Sequence, residues 1–261
     1  MAMLIGDGGY GDSDAGQRAH LISETGLRAF ADRETWLNEN GQATKSANTL
    51  VTPARIETLL KGLRIDQRSN VSIFVPKPKN RHESPASTGF SAADAFGNAV
   101  ACTVTMNASF GTGRVAEGTG VLLASAPSTN GRGPLGLAPM MVVNENSKEF
   151  RLAATASGGV AAPSALIGVA ANILLAGQNL KDAIAQPRVH LSGNPDVTYV
   201  EPNVTPQVIA ALKKAGHRTQ VTPVLGSVNA LYCPGGLPTL PQTCQMSVDP
   251  RGVGLASGTM R

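Results

Sequence analysis

Between Ser13 and Leu37 the apolar residues Ala19, Ile22, Leu27, Ala29, Phe30 and Leu37 recur near helical spacing, with Asp14 placed to cap the start. This pattern predicts a long helix. A second, shorter helix is predicted over Pro53–Gly62, where Thr52 precedes a proline at the first helical position and Gly62 ends the run. Residues 66–86 contain Pro76, Pro78 and Pro85 and read as an extended, exposed linker. Beyond it the period shortens. Phe90–Ala95 and Ala99–Asn107 are β-type runs joined by Phe96-Gly97-Asn98, which predicts a hairpin. Further strands are predicted at 120–123, 140–143, 150–154, 197–201, 228–232 and 245–248, and helices over Pro163–Leu175 and Thr205–Ala215. The mixed order defines an α+β protein without internal repeats.

Composition sharpens this picture. The 261 residues are 42% hydrophobic and 15% charged, enough to bury the core of one or two domains, and 29 glycines and 17 prolines argue against an all-helical bundle. The net charge of +4, one short basic stretch at Lys77–Arg81 and few aromatic residues give no platform for nucleic acid, so no such partner is expected. The longest apolar stretch, 161–177, contains Pro163, Ser164 and Asn172, and no membrane span is expected. Met1–Gly9 lacks the basic and apolar regions of a signal peptide. Cys233 and Cys244 bracket a turn-rich segment that a disulfide between them would close in an oxidising compartment, while Cys102 sits in an apolar run. Two thiols without a neighbouring histidine make a poor metal site, and no metal or other cofactor is expected.

Several residues invite a bland reading. His20, His82 and His217 are expected at the surface and His190 in packing or backbone bonding. Gly111-Thr112-Gly113 lacks the Gly-Lys-Ser/Thr continuation of a phosphate loop, and Asp249-Pro250-Arg251 reads as a structural turn. On a strand over 99–107, Thr103, Thr105 and Asn107 share one face. Threonine packing accounts for most such runs; a hydroxyl cluster able to house a nucleophile is the sharper alternative.

The segment from Ser87-Thr88-Gly89-Phe90-Ser91 through Asp94, Gly97-Asn98, Val100, Thr103, Thr105 and Asn107 to Phe110-Gly111-Thr112-Gly113 resembles the signature of the gamma-glutamyltransferases, members of the N-terminal-nucleophile hydrolase superfamily. The resemblance extends to Ala19–Arg33, Gly158-Gly159, Gln186-Pro187-Arg188 and Asp249-Pro250-Arg251. It covers most of the chain but only the C-terminal half of a full-length member. Residues 1–86 would match the end of the large subunit with its linker, and 87–261 the small, catalytic subunit.

The resemblance implies an αββα sandwich and a zymogen that cleaves itself, freeing an N-terminal nucleophile whose own α-amine, with a pKa near about 8, is the general base. Ungapped register puts the nucleophile at Ser87; Thr88 is the alternative if the register slips by one. Thr105 would pair with it, Gly158 and Gly159 would offer backbone amides to an oxyanion, and Asn107 would touch substrate. The implied reaction hydrolyses or transfers a gamma-glutamyl or related acyl group of a glutathione-like amide, in a periplasmic or secreted setting. A separately encoded N-terminal half is an expected partner, without which apolar surface should be exposed. A non-catalytic or half-length subunit, and an amidase for non-glutamyl acyl groups, are the competing readings. They rest on departures from the family pattern: Gly89 replaces a histidine, Ser125–Thr129 replace acidic and amide residues, Pro134–Pro139 replace paired serines, and the carboxylate-clamping arginine belongs to the N-terminal half.

Overall fold

The computed structural model describes residues 1–38, 42–75, 87–126, 137 and 139–258. The helices are α1 (Ala2–Asp7), α2 (Ala15–Arg33), α3 (Ala47–Leu50), α4 (Pro53–Leu60), α5 (Val71–Phe74), α6 (Ala162–Leu174), α7 (Leu180–Ala185) and α8 (Pro206–Lys214). The strands are β1 (Ser87–Ala93), β2 (Ala99–Thr105), β3 (Met140–Val143), β4 (Phe150–Ser157), β5 (Val189–His190), β6 (Thr198–Val200), β7 (Thr219–Val221), β8 (Ser227–Leu237) and β9 (Gln245–Ser247).

The central sheet has the order β3-β4-β8-β9, all antiparallel. Strand β4 is buried on both faces and alternates its contacts. Leu152, Ala154 and Ala156 join Val228 and Ala230 of β8 in packing against Leu166, Val169 and Ile173 of α6. On the opposite face, Phe150 and Ala153 meet Ala93, Ala99 and Ala101 of the β1–β2 hairpin. Small residues let the two sheets approach closely. A third sheet, β5-β6-β7, joins β6 to β7 in parallel, and α8 supplies the crossover such a pair requires.

Helix α2 packs on α8, α6 and β5. Asp14 and Gln17 close its start with a reciprocal capping box, which contributes about 1 kcal/mol. Leu21, Ile22 and Ala19 lie in a second core with Val189, Val200 and Leu212. The predicted helices and the hairpin are present with small boundary shifts. Residues 120–123 are instead irregular, with one bridge from Leu122 to Val115. The linker reading fails at 71–74, where α5 buries Val71 against Leu27 and Leu191; residues 76–86, with the three prolines, His82 and the basic stretch, lie outside the described residues.

The layering is helix, sheet, hairpin. Among the described residues no helix covers the outer face of the hairpin, where Phe90 (54%), Val100 (45%) and Val104 (49%) are exposed.

Candidate active site

Strand alternation decides where the two candidate nucleophiles point. Ser87, Gly89, Ser91 and Ala93 face the central sheet, while Thr88, Phe90 and Ala92 face outward and are exposed. Ser87 stands opposite Thr105 in the antiparallel register, and Gly89 opposite Thr103. The Ser87 hydroxyl oxygen is buried with no hydrogen-bond partner among the described residues, as are those of Thr103 and Thr155. The seam between hairpin and sheet thus carries three unspent hydroxyls, Ser87 and Thr103 on the hairpin and Thr155 on β4. Such buried groups are costly in a merely structural role.

Two contacts fix the direction of the hairpin over the sheet. A Cβ at Gly97, in the turn, would lie 3.1 Å from the carbonyl of Leu237, which pairs with Phe150 at the start of β4. A Cβ at Gly89 would lie 2.6 Å from Thr155, near the end of β4. The Ser87 end of β1 therefore lies toward the C-terminal end of β4, where Gly158 and Gly159 follow. Gly158 has φ 118° and Gly159 φ 64°, and a Cβ at Gly158 would lie 2.5 Å from the Cα of Gly226. Only glycine fits there. The turn leads directly into a short 3-10 segment and α6, so its amides stand at a helix start.

Thr105 and Asn107 are tied to the next segment. The Asn107 amide N–H donates to Thr105 Oγ1 at 3.1 Å, and its Nδ2 donates to the Ser125 carbonyl at 2.7 Å. Asn107 holds φ 58°, a left-handed conformation that asparagine tolerates. Gly89 explains one departure from the family pattern, because a side chain pointing inward at that position would collide with Thr155. Of the other altered segments, Ser125 and Ala126 are described, whereas residues 127–136 and 138 lie outside the described residues.

Beneath this end of the sheet lies a buried ionic network that the turn reading of Asp249-Pro250-Arg251 missed. Arg188 Nη2 is 2.5 Å from Asp249 Oδ2, Arg251 Nη1 is 3.1 Å from Asp249 Oδ1, and Arg251 Nη2 is 2.5 Å from Glu201 Oε2. Burial pushes the Asp249 carboxyl up, but Arg188 and the amides of Arg251 and Val228 outweigh it and hold the group below its ordinary range. Arg188 Nη1 also donates to the Gly226 carbonyl at 2.6 Å, beneath Gly158. The network reaches the hairpin through Asn229, which accepts from the Asp249 amide and donates to the Gly89 carbonyl.

The surface expectation is wrong for two histidines. His20 and His217 are buried, with His20 Nδ1 2.8 Å from His217 Nε2, and His217 Nδ1 2.8 Å from Thr198 Oγ1. Helical periodicity placed His20 on the inner face of α2, and that signal outranks residue-type preference. His190 is buried beside Phe30 and bonded to Ser164, as expected of a packing residue. Cys233 and Cys244 form a disulfide, S–S 2.00 Å, and Cys102 is free. No described helix is long and apolar enough to cross a membrane. Thr155 and Asn229 belong to no sequence motif and were not anticipated.

Hairpin, sheet and helices stack in the order of the N-terminal-nucleophile hydrolase sandwich. The chain belongs to the gamma-glutamyltranspeptidase family, whose family model matches residues 6–259. It is 26% identical to the glutathione hydrolase proenzyme of Escherichia coli (strain K12), over 85% of this chain and 42% of that protein. It is 29% identical to the acylase ACY 1 proenzyme of Pseudomonas sp. (strain V22), over 98% of this chain and 46% of that protein. The chain thus spans less than half the length of these relatives. Among solved structures, the gamma-glutamyltranspeptidase T380A mutant of Helicobacter pylori matches 63% of this chain and 100% of its own, at 27% identity and TM-score 0.52. Cephalosporin acylase from Bacillus halodurans shares the fold over 94% of this chain and 46% of its own, at 21% identity and TM-score 0.68.

Proposed function

We propose that this chain carries the nucleophile of a self-cleaving N-terminal-nucleophile amidase, with residues 87–261 as its catalytic portion and 1–86 as the end of a large-subunit-like region. The observation that carries the reading is the Ser87 hydroxyl: inward-facing, buried, unspent among the described residues, and set opposite Thr105. In maturation, Ser87 Oγ attacks the carbonyl carbon of Ala86 and the peptide C–N bond breaks. That cleavage, with the hydroxyl proton passing to the departing nitrogen, frees the α-amine of Ser87, and water then hydrolyses the resulting ester to restore the Ser87 hydroxyl and release the Ala86 carboxylate. In turnover that amine takes the hydroxyl proton as Oγ attacks the substrate amide, and passes it to the leaving amine. Water or an acceptor amine resolves the acyl-serine. Thr105 orients the nucleophile, Gly158 and Gly159 donate amides to the oxyanion, and Asn107 contacts the acyl chain.

The acyl group is gamma-glutamyl or a related chain from a glutathione-like amide. A second reading, an amidase for less polar acyl groups, is favoured by Ser125-Ala126 where the family grips a zwitterionic head, and by the likeness to an acylase. A separately encoded N-terminal half covering Phe90, Val100 and Val104 completes the sandwich. Hydrolysis of gamma-glutamyl and hexanoyl p-nitroanilides, by the chain alone and with that half, separates the readings. Turnover of either donor that disappears in Ser87→Ala supports the amidase; turnover of neither in both samples supports a non-catalytic subunit.

A further inference from the structure

On the helical side of the molecule, away from Ser87, a cavity of about 310 Å³ opens among α2, α6, the segment after α7 and α8. Its size is at the lower end of small-molecule sites, which span about 300–1,000 Å³. Most of its wall is apolar, with Ile22, Val169, Val204 and Val208. The polar groups decide what it accepts.

The amide acceptors at the wall are already taken. Tyr10 Oη donates to Asn172 Oδ1 at 2.9 Å, Asn172 Nδ2 to Gln186 Oε1 at 3.0 Å, and Gln186 Nε2 to Gln178 Oε1 at 2.8 Å. The relay ends on the Gln178 amide nitrogen, a donor. Arg18 spends Nε on the Tyr10 carbonyl at 3.1 Å and Nη2 on the Gly11 carbonyl at 2.7 Å, which fixes its guanidinium and leaves Nη1 unspent. It has no carboxylate partner among the described residues. Arg188, 7% exposed, keeps a buried Nε–H with no acceptor among the described residues. No aspartate or glutamate is among the described lining residues. An apolar chamber whose side-chain amide oxygens each already accept a hydrogen bond, with the Ser164 and Thr205 hydroxyls and an unneutralised arginine at its wall and no carboxylate among the described lining residues, complements a small anion with an apolar tail.

We infer that this cavity binds a small amphipathic monocarboxylate, its tail against Ile22, Val169 and Val208 and its carboxylate at Arg18 and Gln178. The inference is independent of the amidase reading, and its test uses Ser87→Ala protein so that turnover plays no part. Gly168 of α6 lines the cavity, and an added Cβ there meets nothing within 4 Å, so the side chain of Gly168→Leu starts in open space and intrudes on the chamber while improving helix propensity. Isothermal titration with octanoate, octanol and octylammonium is the measurement. Octanoate is expected to bind saturably, roughly tenfold or more tighter than octanol, with no binding of octylammonium. Arg18→Met removes that preference for octanoate over octanol, and Gly168→Leu abolishes binding while keeping the circular dichroism spectrum and melting temperature. Absence of saturable octanoate binding, equal affinity for octanol, or unchanged octanoate binding in Gly168→Leu each overturns the inference.

Discussion

Asn229 of β8 donates from Nδ2 to the carbonyl of Gly89 at 3.2 Å, and its Oδ1 accepts from the amide of Asp249 at 3.3 Å. One side chain therefore fastens the strand that carries Ser87 to the buried Arg188–Asp249–Arg251 network. Replacing it by leucine leaves a carbonyl and an amide unsatisfied, at a cost of about 1–3 kcal/mol. Asn229→Leu is expected to lower the urea midpoint and slow maturation at Ser87. An unchanged midpoint and maturation rate would show that the link is idle.

Gly89 reports how tightly the two sheets approach. A Cβ there lies 2.6 Å from Thr155, so Gly89→Ala should destabilise by about 1–3 kcal/mol, as overpacking does. The same change made in Thr155→Gly protein should cost much less. Additive losses in the double variant would mean that the contact does not limit the packing.

The buried His217 gives stability a pH dependence. Burial and the neighbouring His20 push its pKa down to about 4 from an ordinary value of 6.5. The unfolded chain therefore binds the extra proton first, and stability falls as pH drops from about 6.5 to about 4, by roughly 3 kcal/mol in all. Loss of the Asp249 carboxylate follows at lower pH, because its folded pKa is depressed. Thermal melts of His217→Gln are expected to show a flatter profile between pH 6.5 and 4. A profile as steep as that of the unsubstituted chain would assign the slope to other groups.

Much of this was legible in the chain. The spacing of Ala19, Ile22 and Leu27, the Asp14 cap and the turn Phe96-Gly97-Asn98 state α2 and the hairpin outright, because local periodicity and capping are written locally. The first part of β4 was legible over Phe150–Ala154, and the β1–β2 segment by its motif. Which of Ser87 and Thr88 faces the sheet needed strand phase, since neighbours on a strand face opposite ways. Asn229 and Thr155 were invisible because their importance lies in contacts about 140 and 66 residues away in sequence. His20 and His217 were misjudged because their mutual bond satisfies groups that composition alone assigns to solvent.

If Ser87 rather than Thr88 is the nucleophile, Ser87→Thr should retain self-cleavage, since threonine offers the same Oγ, and Ser87→Ala should abolish it. Thr88→Ala, changing an exposed outward side chain, should leave cleavage within about twofold of the unsubstituted rate. Cleavage lost in Thr88→Ala and kept in Ser87→Ala would shift the site by one residue.

The central claim is tested most directly by the intact mass of the folded protein under non-reducing conditions, taken alone and after incubation with the proposed N-terminal half. Cleavage before Ser87 divides the 261 residues into pieces of 86 and 175, and Cys233–Cys244 stays within the second. The account predicts those two masses, with Ser87 at the new N-terminus and both absent from Ser87→Ala. A single uncleaved mass in both samples would contradict it.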